Sequence, residues 1–135
     1  MMDTIAVSSK TMTEFKDITQ EIRRIVKKSG IADGICLIYV PHTTAGLTIN
    51  ENADRDVQAD ITSALSEMVP ARGEYRHAEG NSPAHIQSTI VGNEKTVLVD
   101  RGELVLGTWQ GIFFCEFDGP RQRKVYVKVF GTAKP

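Results

Sequence analysis

TVLVDRGELVLGTWQGIFFCEFDGPRQRKVYVKVF, residues 96–130, is the stretch that decides the fold. Its β-branched and aromatic residues gather into runs at Thr96–Val99, Leu104–Leu106, Trp109–Phe117 and Lys124–Phe130. The breaks between them, Arg101-Gly102 and Asp118-Gly119-Pro120, carry turn chemistry. Runs this short with so little between them leave no room for crossover helices, so the second half reads as antiparallel sheet. The first half is different. Ile18, Ile22, Ile25 and Val26 recur at helical offsets behind Asp17, a candidate N-cap, and that helix should stop at Gly30 after Lys27 and Lys28. Strands grouped apart from helices predict an α+β fold rather than a doubly wound parallel sheet.

The remaining elements follow from the same reading. Thr4–Ser9 and Met12–Phe15 suit a pair of opening strands, Ile35–Val40 is an apolar run ended by Pro41, and Leu47–Ile49 is a shorter strand. Asn52 or Asp54 can cap a second helix whose apolar positions Val57, Ile61, Ala64, Leu65 and Met68 keep the helical period until Pro70. After a loop from Pro70 to Ser82, a short helix with Ser82 as N-cap and Pro83 at its first position runs to Gly92. The predicted order is β2-α-β2, a loop and helix region, then β4, in one domain over residues 1–135.

Composition narrows the function. Lys and Arg total 16 against 17 Asp and Glu, a formal net charge of -1, so no global field draws in nucleic acid. No run is long enough to cross a membrane, and no basic segment precedes an apolar one at the start, so a soluble, cytoplasmic protein is expected. Cys36 and Cys115 lie inside apolar runs and read as reduced core residues. Walker, dinucleotide-binding, Cys-x-x-Cys and Gly-x-Ser-x-Gly motifs are all missing.

The chemistry concentrates in polar loops. All 3 histidines lie there: His42 in Pro41-His42-Thr43-Thr44, and His77 and His85 bracketing a Gly, Asn, Ser and Pro segment that can fold back on itself. Three imidazoles are the number that an open catalytic metal site requires. Spacing supports the His77–His85 pair, whereas His42 could join only through tertiary folding. Imidazole ligands alone do not choose among zinc, copper, nickel and iron. Glu116 and Asp118 share one strand face, either as a solvated edge or as a general base beside the imidazoles, a role for which Glu79 and Glu51 compete. Arg121, Arg123 and Lys124 follow, with Arg72, Arg76 and Arg101 in other loops, and guanidinium forks match phosphate oxygens. Thr43 and Thr44, with Gly107-Thr108-Trp109-Gln110-Gly111, offer hydroxyls, amides and an indole that serves either a pocket floor or plain core.

The stretch Pro41-His42-Thr43-Thr44-Ala45-Gly46-Leu47-Thr48-Ile49-Asn50-Glu51-Asn52 stands in order with the His77–His85 segment. Gly107-Thr108-Trp109-Gln110-Gly111 and Glu116-Phe117-Asp118-Gly119-Pro120-Arg121 follow. Together they resemble the YjbQ family, also called UPF0047 or secondary thiamine-phosphate synthase, over almost the whole chain. The resemblance implies the same element order in a homotrimer. It also implies a divalent metal on His42, His77 and His85, zinc in the first instance, with magnesium the alternative for a pyrophosphate substrate. Asn52, Asn81, Ser88, Trp109, Gln110, Glu116 and Arg121 would be the pocket neighbours, with Glu116, His85 and Arg121 catalytic. The implied reaction joins hydroxymethylpyrimidine pyrophosphate to thiazole phosphate. A metal-dependent hydrolase of a small phosphorylated or cyclic compound, and a trimeric metabolite-binding module without catalysis, are the other two readings.

Overall fold

The computed structural model describes residues 2–135. Its elements run β1 (Met2–Ser8), β2 (Glu14–Asp17), α1 (Thr19–Ser29), β3 (Ile31–Tyr39), β4 (Ala45–Glu51), α2 (Arg55–Met68), α3 (Ser82–Val91), β5 (Glu94–Asp100), β6 (Glu103–Leu104), β7 (Gln110–Glu116) and β8 (Gln122–Ala133). The strands form a five-stranded sheet, β1-β8-β3-β5-β6, and a three-stranded sheet, β2-β7-β4. Every pairing is antiparallel. The fold is therefore α+β in the expected order.

Two cores explain why the short sheet is the pivot. Val7, Cys36, Ile38, Val97, Val125 and Val127 from the large sheet pack against Leu47, Ile112 and Phe114 from the small one, joined by Ile18, Ile22 and Val26 of the α1 region. On the other side of the small sheet, Phe113, Cys115 and Phe117 pack with Leu65 of α2 and Ala84 of α3. Strand β7 is thus buried on both faces, with alternate side chains feeding different cores. Each fully buried aliphatic or Phe side chain contributes roughly 1.5–3 kcal/mol. Both cysteines are free and buried, and burial pushes the Cys36 thiol up to about 11, which makes it an inert core residue.

Four local expectations are corrected. The opening strands do not pair with each other: β1 joins β8 and β2 joins β7, because each has its own apolar face to cover. Asp17 does tie the start of α1, its Oδ1 accepting from the Thr19 amide at 2.9 Å and the Thr19 hydroxyl at 2.5 Å, though Ile18 occupies the N-cap position. Helix α3 begins one residue earlier than predicted, with Asn81 at the N-cap and Ser82 already helical. Trp109 is no core residue; it is 62% exposed.

The seat of α3 positions the chemistry. Ser88 Oγ donates to the Ala45 carbonyl at 2.6 Å, and the Leu47 amide donates to the Gly92 carbonyl at 2.9 Å. A Cβ on Gly46 would stand 2.5 Å from that same Gly92 oxygen, so only glycine lets the helix end rest directly on β4.

Candidate active site

Pro41 ends β3 and directs His42 into the β3–β4 loop, where its Nε2 accepts the Lys124 amide at 2.9 Å. Burial, then the charge of Arg123, holds the ring below its ordinary value of 6.5, so it is neutral at pH 7. A neutral imidazole that accepts at Nε2 carries its proton on Nδ1. His42 is therefore a hydrogen-bond donor at its remaining nitrogen. His85 lies in the first turn of α3, with its ring edge-on to that of His77 at 5.3 Å between ring centres. His85 shares one cavity with His77 and others with His42, and so stands between them.

The metal expectation can be tested on this geometry. Two imidazoles sharing a tetrahedral ion, each nitrogen about 2 Å from it, have ring centres roughly 5 Å apart, a spacing His77 and His85 match. His42 does not complete the set, because Nε2 is taken by the Lys124 amide and Nδ1 is protonated. Among the described residues, no group of three or more His, Cys, Asp or Glu side chains is close enough to hold an ion. Among the described residues the histidines present a pair rather than a triad.

Glu116 alternates with Ile112 and Phe114 and so points between the sheets, fully buried. Arg123 meets it with two nitrogens, Nε at 2.9 Å from Oε1 and Nη2 at 2.5 Å from Oε2. The Ser9 hydroxyl donates to Oε1 at 2.6 Å and the Asp118 amide to Oε2 at 3.0 Å. Burial pushes this carboxyl up, but Arg123 and the other donors outweigh it and hold it below the ordinary range. Arg123 Nη2 also donates to the Thr44 hydroxyl at 2.8 Å, pinning the residues just after His42. Glu116 touches the site through Arg123 and Thr44, with both oxygens occupied.

Asp118, beyond the end of β7, does something else. Its carboxylate accepts from Asn81 Nδ2 at 3.0 Å and from Arg121 Nη2 at 2.9 Å, while its carbonyl accepts from Arg121 Nε at 2.8 Å. Burial raises the Asp118 carboxyl, and the Asn81 and Arg121 hydrogen bonds more than reverse it. Arg121 is thereby clamped along one edge while its side chain stays half exposed. A cavity of about 330 Å³ opens beside it, lined by His42, Thr43, Thr44, Asn81, His85 and both arginines. Asn81 Oδ1 is buried without a hydrogen-bond partner, an acceptor that a donor on a bound molecule would satisfy.

Not every predicted site residue arrives. Ser88 holds α3 to β4 through the bond to Ala45 while also lining a cavity with His42 and His85. Asn52, Trp109 and Gln110 lie at the opposite end of the β4–β7 ladder: Ala45 pairs with Glu116, but Glu51 pairs with Gln110, six positions and roughly 20 Å away. There Asn52 Nδ2 donates to Asp17 at 3.2 Å and Gln110 Oε1 accepts the Gly107 amide at 2.8 Å. Sequence reasoning placed Arg123 among candidate phosphate ligands and Asp118 beside Glu116 as a possible base, missed that both serve as hydrogen-bond partners within the site, and gave Ser9 no role. Glu116 in register with Ile112 and Phe114 signals a buried carboxylate that needs a cation, which points to Arg123; nothing local marks Ser9.

The model of the family described as UPF0047 protein YjbQ-like matches residues 3–132. The chain belongs to the YjbQ/UPF0047 family. It is 49% identical to UPF0047 protein YugU of Bacillus subtilis, over 97% of this chain and 100% of that one. It is 51% identical to UPF0047 protein MJ1081 of Methanocaldococcus jannaschii, over 93% and 91%. Among solved structures, an uncharacterised conserved protein of the YjbQ/UPF0047 family from Clostridium acetobutylicum superposes with a TM-score of 0.93 at 47% identity, covering 95% of this chain and 99% of that one. The family fold thus extends across the chain. No helix among the described residues is long and apolar enough to cross a membrane.

Proposed function

We propose that this YjbQ/UPF0047 protein is an enzyme acting on a small phosphorylated metabolite, in the manner of a secondary thiamine-phosphate synthase. The single observation that carries the reading is the Arg121 clamp: a guanidinium oriented by Asp118, itself held by Asn81, beside His42 and His85 in one cavity. Guanidinium and imidazole donors aimed into a cleft stabilise charge on phosphate oxygens.

The chemistry of the condensation suits this set. The thiazole ring nitrogen uses its lone pair to bond the exocyclic methylene of the pyrimidine, and the carbon–oxygen bond to pyrophosphate breaks with its electron pair leaving on pyrophosphate. No proton has to be removed from the nucleophile. The site needs positive charge and alignment rather than a free base, so a Glu116 fully engaged with Arg123 is compatible with catalysis as a positioning residue. Arg121 and the Nδ1–H of His42 are the groups suited to the departing pyrophosphate, with His85 beside them. Divalent metal, zinc or magnesium, remains a proposal for the His77–His85 pair.

A homotrimer is proposed as the working assembly. Phe130, Ile35 and Leu98 form an apolar row across three adjacent strands of the large sheet, continued by Val105 just past β6, and Phe130, Leu98 and Val105 are 44%, 63% and 50% exposed. A neighbouring copy could also bring its Asn52, Trp109 and Gln110 to the Arg121 end. The test is to incubate purified protein with hydroxymethylpyrimidine pyrophosphate and thiazole phosphate, beside Arg121→Gln and His85→Ala. Equal yields of thiamine phosphate and pyrophosphate are expected, falling about a hundredfold in Arg121→Gln. Release of the pyrimidine alcohol without condensation would replace this reading with hydrolysis. Ligand binding without any product would leave a binding module.

A further inference from the structure

A second cleft, about 560 Å³, opens on another part of the molecule, between the last turn of α1 and the β5–β6 hairpin. It is lined by four cations, Arg23, Lys27, Arg101 and Lys134, against one carboxylate, Glu103, a formal excess of three positive charges. This concentration stands out on a chain whose net charge is -1. Among the described residues, none of the four cations makes an ion pair or donates a side-chain hydrogen bond. Arg23 and Lys27 are one helical turn apart on the same face of α1, a repulsive spacing that no ion pair among the described residues offsets.

Arg101 adds an independent sign. The β5–β6 hairpin has a two-residue turn, Arg101-Gly102, between the paired Asp100 and Glu103, with φ of 51° and 80°. Turns of this hand favour Asn or Gly at the first position, because a Cβ there crowds the backbone. Arg101 is the one non-glycine residue with positive φ among the described residues. An arginine held in that conformation with no partner for its side chain gives the fold nothing that Asn would not, so the side chain is the reason to keep it. The floor of the cleft is apolar, with Val26 and Leu104 almost fully buried and Ile31 beside them.

We propose that this cleft binds an organic oligophosphate of nucleoside-diphosphate size, its phosphates held by Arg101, Arg23, Lys27 and Lys134 and its organic part on Val26, Ile31 and Leu104. The apolar floor and the volume favour an organic phosphate over inorganic phosphate, and the small area favours it over an extended nucleic acid. This ligand is separate from whatever the Arg121 cleft processes.

Calorimetric titration of the intact protein with ADP and with inorganic pyrophosphate, at low salt, tests the proposal on the parent and on Arg101→Asn, Arg23→Gln and His85→Ala. The expected result is one ADP per chain, bound about tenfold more weakly by Arg101→Asn and by Arg23→Gln, as for loss of a charge-assisted hydrogen bond, and equally well by His85→Ala. Arg101→Asn should melt no lower than the parent, since Asn accepts the turn. No ADP binding, binding unchanged in both arginine variants, or binding lost in His85→Ala would overturn the proposal. Pyrophosphate bound as tightly as ADP, with that binding weakened by Arg101→Asn and kept in His85→Ala, would overturn the role of the apolar floor, and a lower Tm for Arg101→Asn would make Arg101 structural.

Discussion

The two ends of the β4–β7 ladder are built from the same pair of strands and differ in almost everything else. At the Ala45–Glu116 end, polar side chains are buried, charged and bonded to partners far away in sequence: Ser9, Thr44 and Arg123 all converge on or around Glu116. At the Glu51–Gln110 end, polar side chains bond their near neighbours in space across short loops, and Trp109 stands out in solvent. The first end is complete within one chain. The second leaves Trp109 unburied, the surface that a neighbouring copy would cover in the proposed trimer.

The largest contrast should appear in stability. Arg123→Met strips the partner from a fully buried carboxylate, and a loss of about 3–5 kcal/mol is expected from urea unfolding. A loss under about 1 kcal/mol would mean that Glu116 finds water or a proton without difficulty, and the first end would no longer be distinct. Gly46→Ala sets a methyl against the Gly92 carbonyl and should cost about 1–3 kcal/mol, because the end of α3 must shift away from β4. The comparable addition at an open position, Gly80→Ser, meets no neighbouring atom and tests only the strain of its positive φ.

Acid sharpens the comparison further. His42 binds its proton less readily folded than unfolded, so the unfolded chain takes up the extra proton as pH falls below 6.5, and stability declines through the range down to its depressed folded value. Glu116 and Asp118 are depressed carboxyls: their contribution is present above their ordinary values of 4.5 and 3.8 and is lost as pH falls through the lower folded values. Urea midpoints measured down the pH scale should show His42→Asn flattening the first decline and leaving the second. A profile identical to the parent would contradict a His42 ring that binds its proton less readily in the folded chain. Trp109→Ala has the smallest expected effect, within about 0.5 kcal/mol in the unfolding of the isolated chain, although it should weaken self-association in sedimentation velocity.

How much of this was legible in the sequence follows the same division. The α1 stripe, the Pro41 stop, the Gly30 cap and the strand run from Thr96 are local signals, set by period and turn chemistry, and the α+β order follows from them. The pairing of β1 with β8 and β2 with β7 was not legible, since two short opening strands read equally well as a hairpin. The His77–His85 pair was legible because a turn-rich segment joins them. The buried Glu116–Arg123 pair was hidden by a sequence separation across a turn that also reads as solubilising charge, and the Ser9 contact spans 107 positions with no local mark. Within the single chain the Trp109 end stays apart from the Arg121 end, a separation set by the β4–β7 register that no local sequence signal marks.

The most direct test of the shared site is complementation between the two ends. Arg121→Gln and Gln110→Ala, each expected to be poor at forming thiamine phosphate alone, are unfolded together, refolded as a mixture and assayed. If one subunit supplies the Arg121 end and its neighbour the Gln110 end in a closed ring, about a quarter of the sites regain both native residues and activity returns to that level. A mixture no more active than the better of its two components would contradict the account.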